Sequence, residues 1–144
     1  MSVKVERWGG GGGHEFNYNN ATGIREITIN TGDIVDSITF KYDHGGTSSW
    51  SSRQGGTGGL PHKIYFEYPD EFLTKIEGIH GSFWSLNNLI KSLTFHTNWG
   101  TKYGPYGTGE GTPFSSTTNG EIVGFFGNSG EYLDAIGIYT KQRN

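Results

Sequence analysis

The 144-residue sequence predicts an all-β protein, on three observations: short alternating segments, dense glycine punctuation, and one unit written three times. Alternation marks the strands. Residues 26–30 (Glu26-Ile27-Thr28-Ile29-Asn30), 63–67 (Lys63-Ile64-Tyr65-Phe66-Glu67) and 91–97 (Lys91-Ser92-Leu93-Thr94-Phe95-His96-Thr97) follow a period of two and are rich in β-branched and aromatic side chains. No long window keeps a helical period, and Ser85-Leu86-Asn87-Asn88-Leu89-Ile90 offers one helical turn at most. Glycine supplies the turns. With 25 glycines, only 4 prolines and 15% aromatic residues, the chain reads as many short strands joined by tight turns, not as a disordered linker.

The repeat organises the whole. Gly32, Gly81 and Gly130 recur 49 residues apart, as do the strand positions Ile27, Ile76 and Phe125. The run from Ile27 to Phe40 parallels the run from Phe125 to Ile138. In the middle copy, six extra residues precede Ser92-Leu93-Thr94-Phe95, which matches Ser37-Ile38-Thr39-Phe40. A second element repeats in phase: the glycine-rich loops at residues 8–13, 55–59 and 104–111. Three unrelated hairpin turns would also use glycine, but two interleaved elements in phase favour three copies of one sheet-forming unit. The length suits a single domain, residues 1–144, around one core.

Composition excludes several classes. The net charge is −3 and the pI about 5.9, with no basic stripe, so nucleic acid is not an expected partner. There is no cysteine, hence no disulfide framework, thiolate zinc site or cysteine nucleophile. His14, His44, His62, His80 and His96 lack metal-ligand spacing, and no metal or cofactor is expected. No glycine run precedes a helix or a Lys-Ser or Lys-Thr pair, which argues against a phosphate cradle. No segment reaches the roughly 18 apolar residues of a membrane span, so no membrane insertion is expected. The opening Met1-Ser2-Val3-Lys4-Val5-Glu6-Arg7 shows no signal peptide; the expected location is cytoplasmic or nucleocytoplasmic, and the Asn20-Ala21-Thr22 sequon would need a secretory route.

The chemistry lies in Gly-x-x-x-Asp, present as Gly32-Asp33-Ile34-Val35-Asp36 and Gly130-Glu131-Tyr132-Leu133-Asp134. Glycine permits a positive φ, so the turn is tight and the following amides point outward together. The aspartate then returns its carboxylate towards them. Convergent amide donors beside one anionic acceptor suit a vicinal polyol, whose hydroxyls both donate and accept. An aspartate closing a β-turn also commonly stabilises only the turn, and that reading stands alongside. In the middle copy Ser85 stands where aspartate is needed, so no third site is expected.

The segments Trp8-Gly9-Gly10-Gly11-Gly12-Gly13, Tyr103-Gly104-Pro105-Tyr106-Gly107, Gly111-Thr112-Pro113-Phe114, and Gly124 to Gly130 running into Leu133 to Tyr139 carry a resemblance. The chain resembles the jacalin-related lectins, in the uncleaved mannose-binding branch that includes banana lectin. The resemblance spans nearly the whole chain. It implies a β-prism I fold, with three four-stranded antiparallel sheets about a pseudo-threefold axis and ligand loops at one end. It implies a first carbohydrate site formed by the amides of Gly13, Glu131 and Tyr132 and the Asp134 carboxylate, with Gly130 and Leu133 in the turn. A second site would use the amides of Gly59, Asp33 and Ile34 and the Asp36 carboxylate, with Gly32 and Val35 in the turn. Galactose-preferring members have a freed N-terminal glycine; here that glycine is internal, which implies mannose and glucose. The implied partners are mannose/glucose-containing glycans and glycoproteins, with assembly into a homo-oligomer (dimer or tetramer) and no catalysis.

Two other readings stand beside this one. The first is a structural or protein-interaction domain whose sugar sites are silent. The second is a glycosidase using Asp36 and Asp134, which would need carboxyls about 5–9.5 Å apart across one bond. Among the aromatics, Tyr132 and Trp84 either wall a sugar face or pack in turns, while Trp8 and Trp99 read as structural. His14 beside Gly13 lines the first site or lies on a surface loop.

Overall fold

The computed structural model describes residues 2–117 and 119–143. Among them there are thirteen strands and no helix: β1 (Val3–Gly9), β2 (His14–Asn17), β3 (Gly23–Thr31), β4 (Val35–His44), β5 (Thr47–Trp50), β6 (Gln54–Gly55), β7 (Leu60–Tyr65), β8 (Leu73–Phe83), β9 (Leu86–Thr97), β10 (Lys102–Gly107), β11 (Thr112–Ser115), β12 (Glu121–Ser129) and β13 (Leu133–Lys141). Three antiparallel sheets form, with strand orders β1-β13-β12-β2, β5-β4-β3-β7 and β10-β9-β8-β11. Strand β6 also pairs with β4, at Ser37 and Ile38, while β5 pairs with it from Lys41 to His44. The two are one outer strand interrupted, so each sheet is four strands wide. This is the expected β-prism.

Every sheet has an inner hairpin flanked by the two strands of an outer one. The first sheet joins the ends of the chain, its outer β1 and β2 enclosing the inner hairpin β12–β13. This closure brings Gly13 of the first glycine loop to Gly130 of the last Gly-x-x-x-Asp turn, 117 positions on in the sequence. Register confirms the triplication. Ile27 pairs with Phe40, Ile76 with Phe95 and Phe125 with Ile138, all six fully buried. Each sheet thus gives the core one phenylalanine and one isoleucine, exchanged between strands in the third copy. Volume is conserved under that exchange, which close packing requires. Phe40 and Phe125 meet edge to face at 5.1 Å.

Two expectations need correction. The strand predicted over residues 63–67 ends at Tyr65, and Phe66 turns into the core, donating its N–H to the Arg25 carbonyl at 3.1 Å. Residues 85–90 form no helical turn. Phe83 pairs with Leu86 around a Trp84-Ser85 turn, and Gly81 pairs with Leu89. The six extra residues lengthen a hairpin, because continuing the ladder satisfies their backbone groups where a lone helical turn would not.

Candidate functional site

The loops cluster at one end and touch in a cycle. The Gly10 loop abuts Asn88 of the β8–β9 hairpin, the Gly56 loop abuts Glu131 of the β12–β13 turn, and Thr108 donates its N–H to the Asp33 carbonyl at 2.9 Å. Each glycine-rich loop is therefore wedged against the hairpin of the neighbouring sheet.

The aspartates are bulge residues. In the β3–β4 ladder Thr31 pairs with Val35 and Asn30 with Ser37, leaving Asp36 unpaired between them. The β12–β13 ladder repeats this, with Ser129 opposite Leu133, Asn128 opposite Ala135, and Asp134 between. A bulge re-aims one side chain out of the alternating pattern. Here it lifts the carboxylate towards the loop while the neighbours Val35 and Leu133 stay fully buried. Those two, expected in the sites, serve as core anchors of the turns.

The glycine loops close on these carboxylates. A methyl group added at Gly12 would lie 2.8 Å from Asp134 Oδ1, and one at Gly58 would lie 2.8 Å from Asp36 Oδ1. At Gly13 and Gly59 the distances to Oδ2 would be 2.9 and 2.6 Å, and both residues have left-handed φ, +73° and +78°. Only glycine fits there. The amides of Gly13, Glu131 and Tyr132, and of Gly59, Asp33 and Ile34, meet no acceptor among the described residues. The structure thus brings Gly12, Gly13 and Gly130 to Asp134, and Gly32, Gly58 and Gly59 to Asp36. By contrast, Glu131 and Tyr132, predicted for the first site, line the Asp36 depression, and Asp33 and Ile34, predicted for the second, line one that holds neither Asp36 nor Asp134.

The turn glycines differ from expectation. Neither Gly32 nor Gly130 adopts a left-handed φ. A methyl group on Gly32 would stand 3.6 Å from Asp36 Oδ2, and one on Gly130 would stand 3.5 Å from the Gly13 Cα and 3.8 Å from Asp134 Oδ2. These are ordinary contacts, so the glycines keep the pocket floor bare; the positive-φ role belongs to the opposite loop. The Gly32 and Gly130 amides bond locally, to the carbonyls of Ile34 at 3.1 Å and Tyr132 at 3.0 Å.

The two carboxylates share a direction of shift but not all of its causes. Burial pushes both above the usual aspartate range. For Asp36 the Gly32 N–H, donating at 2.9 Å, pulls the other way, and the nearby Asp33 charge adds to the rise. Asp134 has no such internal donor among the described residues. Asp134 lies in a depression of about 400 Å³ with Gly10, Gly11, Gly12, Asn87 and Asn88. Asp36 lies in another, about 430 Å³, with Gly56, Gly58, Glu131 and Tyr132. A larger depression on the outer face of the third sheet, about 450 Å³ beside Glu77 and Phe114, carries neither aspartate.

In the middle copy the register assigns the aspartate position differently from the spacing. His80 pairs with Ile90 and Ile79 with Ser92, so the bulge residue is Lys91, not Ser85. The insertion lengthens the hairpin beyond the bulge, and counting from Gly81 miscounts it. Lys91 Nζ donates to the carbonyls of Ser82 at 3.0 Å and Glu110 at 2.7 Å. Ser82 occupies the place of Asp33 and Glu131, and Glu110 the place of Gly12 and Gly58. An ammonium fills the space that the other two copies leave open. Gly12, Gly58 and Lys91 escaped the sequence reading, although matching Ser92 to Ser37 already aligned Lys91 with Asp36.

The remaining candidates scatter. No group of three metal-ligating side chains occurs among the described residues. His62, His80 and His96 bond to Thr31, Asn88 and Glu77 respectively, and His14 is exposed beside Gly13. Trp8 stacks on Phe114 at 4.8 Å, as a structural residue should. Trp99, read as structural, is instead 56% exposed on the β9–β10 turn, and Trp84 is 90% exposed.

The profile of the Jacalin-like lectin domain family matches residues 5–139. An agglutinin from Castanea crenata is 46% identical over 145 residues, covering 96% of this chain and 46% of that protein. Jacalin-related lectin 3 from Arabidopsis thaliana is 44% identical over 140 residues, covering 93% of this chain and 23% of that protein. The chain therefore spans less than half the length of either relative. Among solved structures, a mannose-binding jacalin-related lectin from Ananas comosus superposes with a TM-score of 0.92 at 36% identity, covering 99% of both chains.

Proposed function

The chain belongs to the jacalin-like lectin family, and from that premise we propose that it is a non-catalytic carbohydrate-binding protein with two sites, each taking a mannose- or glucose-type pyranose. One observation carries the reading. Each of two carboxylates, Asp36 buried and Asp134 half-buried, faces a pair of glycines, Gly58 and Gly59 at Asp36 and Gly12 and Gly13 at Asp134, and the amides of Gly59 and Gly13 have no internal partners among the described residues. Adjacent sugar hydroxyls donate to the two carboxylate oxygens and accept from the amides of Gly13, Glu131 and Tyr132, or of Gly59, Asp33 and Ile34. Hydrogen bonds to a charged acceptor in a partly dry pocket are the strong ones.

A handful of such contacts on an open surface corresponds to a monosaccharide Kd of about 1 mM, roughly −4 kcal/mol. Avidity then comes from two sites per chain and from assembly into a homo-oligomer, dimer or tetramer, on multivalent glycans and glycoproteins. A glycosidase would need two carboxyls across one bond, whereas Asp36 and Asp134 line separate depressions.

Calorimetry with methyl mannoside tests the reading. The expected stoichiometry is close to two, falling to one in Asp36→Ala and to one in Asp134→Ala. A wild-type value of one removes the second site. Absence of heat, with no rise in Tm, would favour an interaction domain with silent sites.

A further inference from the structure

The outer face of the third sheet holds a depression of about 450 Å³ that neither aspartate site uses. Alternation along β8 and β9 makes its floor. Ile76, Leu93 and Phe95 turn inward and are fully buried, so Glu77, Ile79, Ser92 and Thr94 turn outward. The ladder sets them in two rows, Ile79 opposite Ser92 and Glu77 opposite Thr94. The flanking strands raise the rims. Pro113 of β11 lies opposite Ile79, and Pro105 stands in the bulge of β10 between Tyr103 and Tyr106. Outer strands and bulges are where a sheet tolerates proline, and there the two rings wall the trough with apolar surface.

The floor carries polar groups that the fold leaves idle. Ser92 and Thr94 are only 5% and 4% exposed and line the depression, yet neither hydroxyl bonds to another group among the described residues. Hydroxyls so deeply placed ordinarily have partners. Glu77 differs, because His96 Nε2 reaches its carboxylate at 2.6 Å and Lys75 Nζ at 3.8 Å. Lys102, opposite His96 at the same end of the trough, pairs with no carboxylate among the described residues. Apolar walls, two idle hydroxyls and one free ammonium remain. Few polar groups in an apolar hollow of this size are the usual form of a small-molecule site.

We propose that this face binds a small aromatic carboxylic acid with a polar group at its far end. Its carboxylate meets Lys102 Nζ and the Thr94 hydroxyl, its ring lies between Pro105, Pro113 and Ile79, and its far group meets Ser92. Thr94 and Ser92 stand two residues apart on one face, about 7 Å, which suits a single para-substituted ring. A phosphate would bring nearly two negative charges against one free cation. A pyranose would find here no unpaired carboxylate and no bare amides, since the ladder uses the amides of β8 and β9.

Calorimetry of the full chain with 4-hydroxybenzoate, in saturating methyl mannoside, tests this independently of the aspartate sites. The expected result is one site per chain with a Kd of about 1 mM. Lys102→Gln, at an exposed position, should weaken binding about tenfold, and 4-hydroxybenzyl alcohol should bind the wild type about tenfold more weakly than the acid. Ser92→Ala should cost 4-hydroxybenzoate about threefold and leave benzoate unaffected. Both variants should keep the wild-type Tm and the methyl mannoside stoichiometry. Absence of saturable heat, an unchanged affinity in Lys102→Gln, or equal losses for benzoate and 4-hydroxybenzoate in Ser92→Ala overturns the proposal. Displacement by methyl mannoside would do the same, as would a dimer in sedimentation that Pro113→Arg dissolves and 4-hydroxybenzoate does not, because a second copy would then cover this face.

Discussion

Alanine at Gly12 probes the clamp without altering either aspartate. Its methyl group would lie 2.8 Å from Asp134 Oδ1, well inside the roughly 3.5 Å at which such atoms rest in contact. Gly12 has no left-handed φ, so the backbone accepts alanine. The struck atom is the free end of a rotatable carboxylate, which swings aside at small cost to the fold. Binding does not survive the swing. A hydrogen bond to a charged acceptor contributes about 1.5–3 kcal/mol and weakens steeply with misplacement. Losing one such bond takes a millimolar monosaccharide down by about tenfold to a hundredfold. Calorimetry should therefore count one site instead of two, with Tm within about a degree of wild type. Gly11→Ala is the control, since a methyl group there has nothing within 4 Å; it should retain both sites. Gly13→Ala combines a φ of +73° with a methyl 2.3 Å from the Ser129 carbonyl oxygen, so site and Tm should fall together. Two sites remaining in Gly12→Ala, or one lost in Gly11→Ala, would refute the reasoning.

Two further outcomes are expected. Because burial holds Asp36 and Asp134 above the usual range, the ionised acceptor is lost at a higher pH than for a free aspartate. The rise in Tm that methyl mannoside produces at pH 7 should therefore shrink before the pH reaches about 4, the ordinary aspartate value. In the sugar-free protein the sign is opposite: the folded form holds these protons more tightly than the unfolded chain. The contribution of the two groups to stability is thus present at acid pH and lost as the pH rises through their raised values. A sugar-induced shift that stays constant down to pH 4 would contradict the assignment. At the other pole, the fully buried Glu121 has Arg143 at 2.6 Å and Lys141 at 3.9 Å. Arg143→Ala strips the nearer cation from a buried carboxylate, which costs about 3 kcal/mol. Thermal unfolding should show a Tm lower by about 10 °C, with the sugar stoichiometry unchanged.

The all-β class, the triplication and both Gly-x-x-x-Asp turns were legible in the sequence, because each rests on chemistry written locally. Period-two alternation around Ile27 and Ile29 buries one face of β3, and the same pattern recurs 49 residues on with the same burial at Ile76. The pairing of Gly13 with Asp134 and of Gly59 with Asp36 followed from the family resemblance. Only the closed prism supplies its physical cause, since the N-terminal hairpin completes the sheet that the C-terminal hairpin begins. Spacing also misplaced the third bulge. Ladder register, tied to buried Leu93 and Phe95, assigns that position to Lys91, whatever length the hairpin gains beyond it. The bare approach at Gly12 and Gly58, and the exposure of Trp84, likewise depend on which loop leans on which hairpin. Turn chemistry and periodicity act between neighbours in the chain and survive in its text. A gap of a few ångströms between loops depends on how three sheets close around one core, and no stretch of sequence carries it.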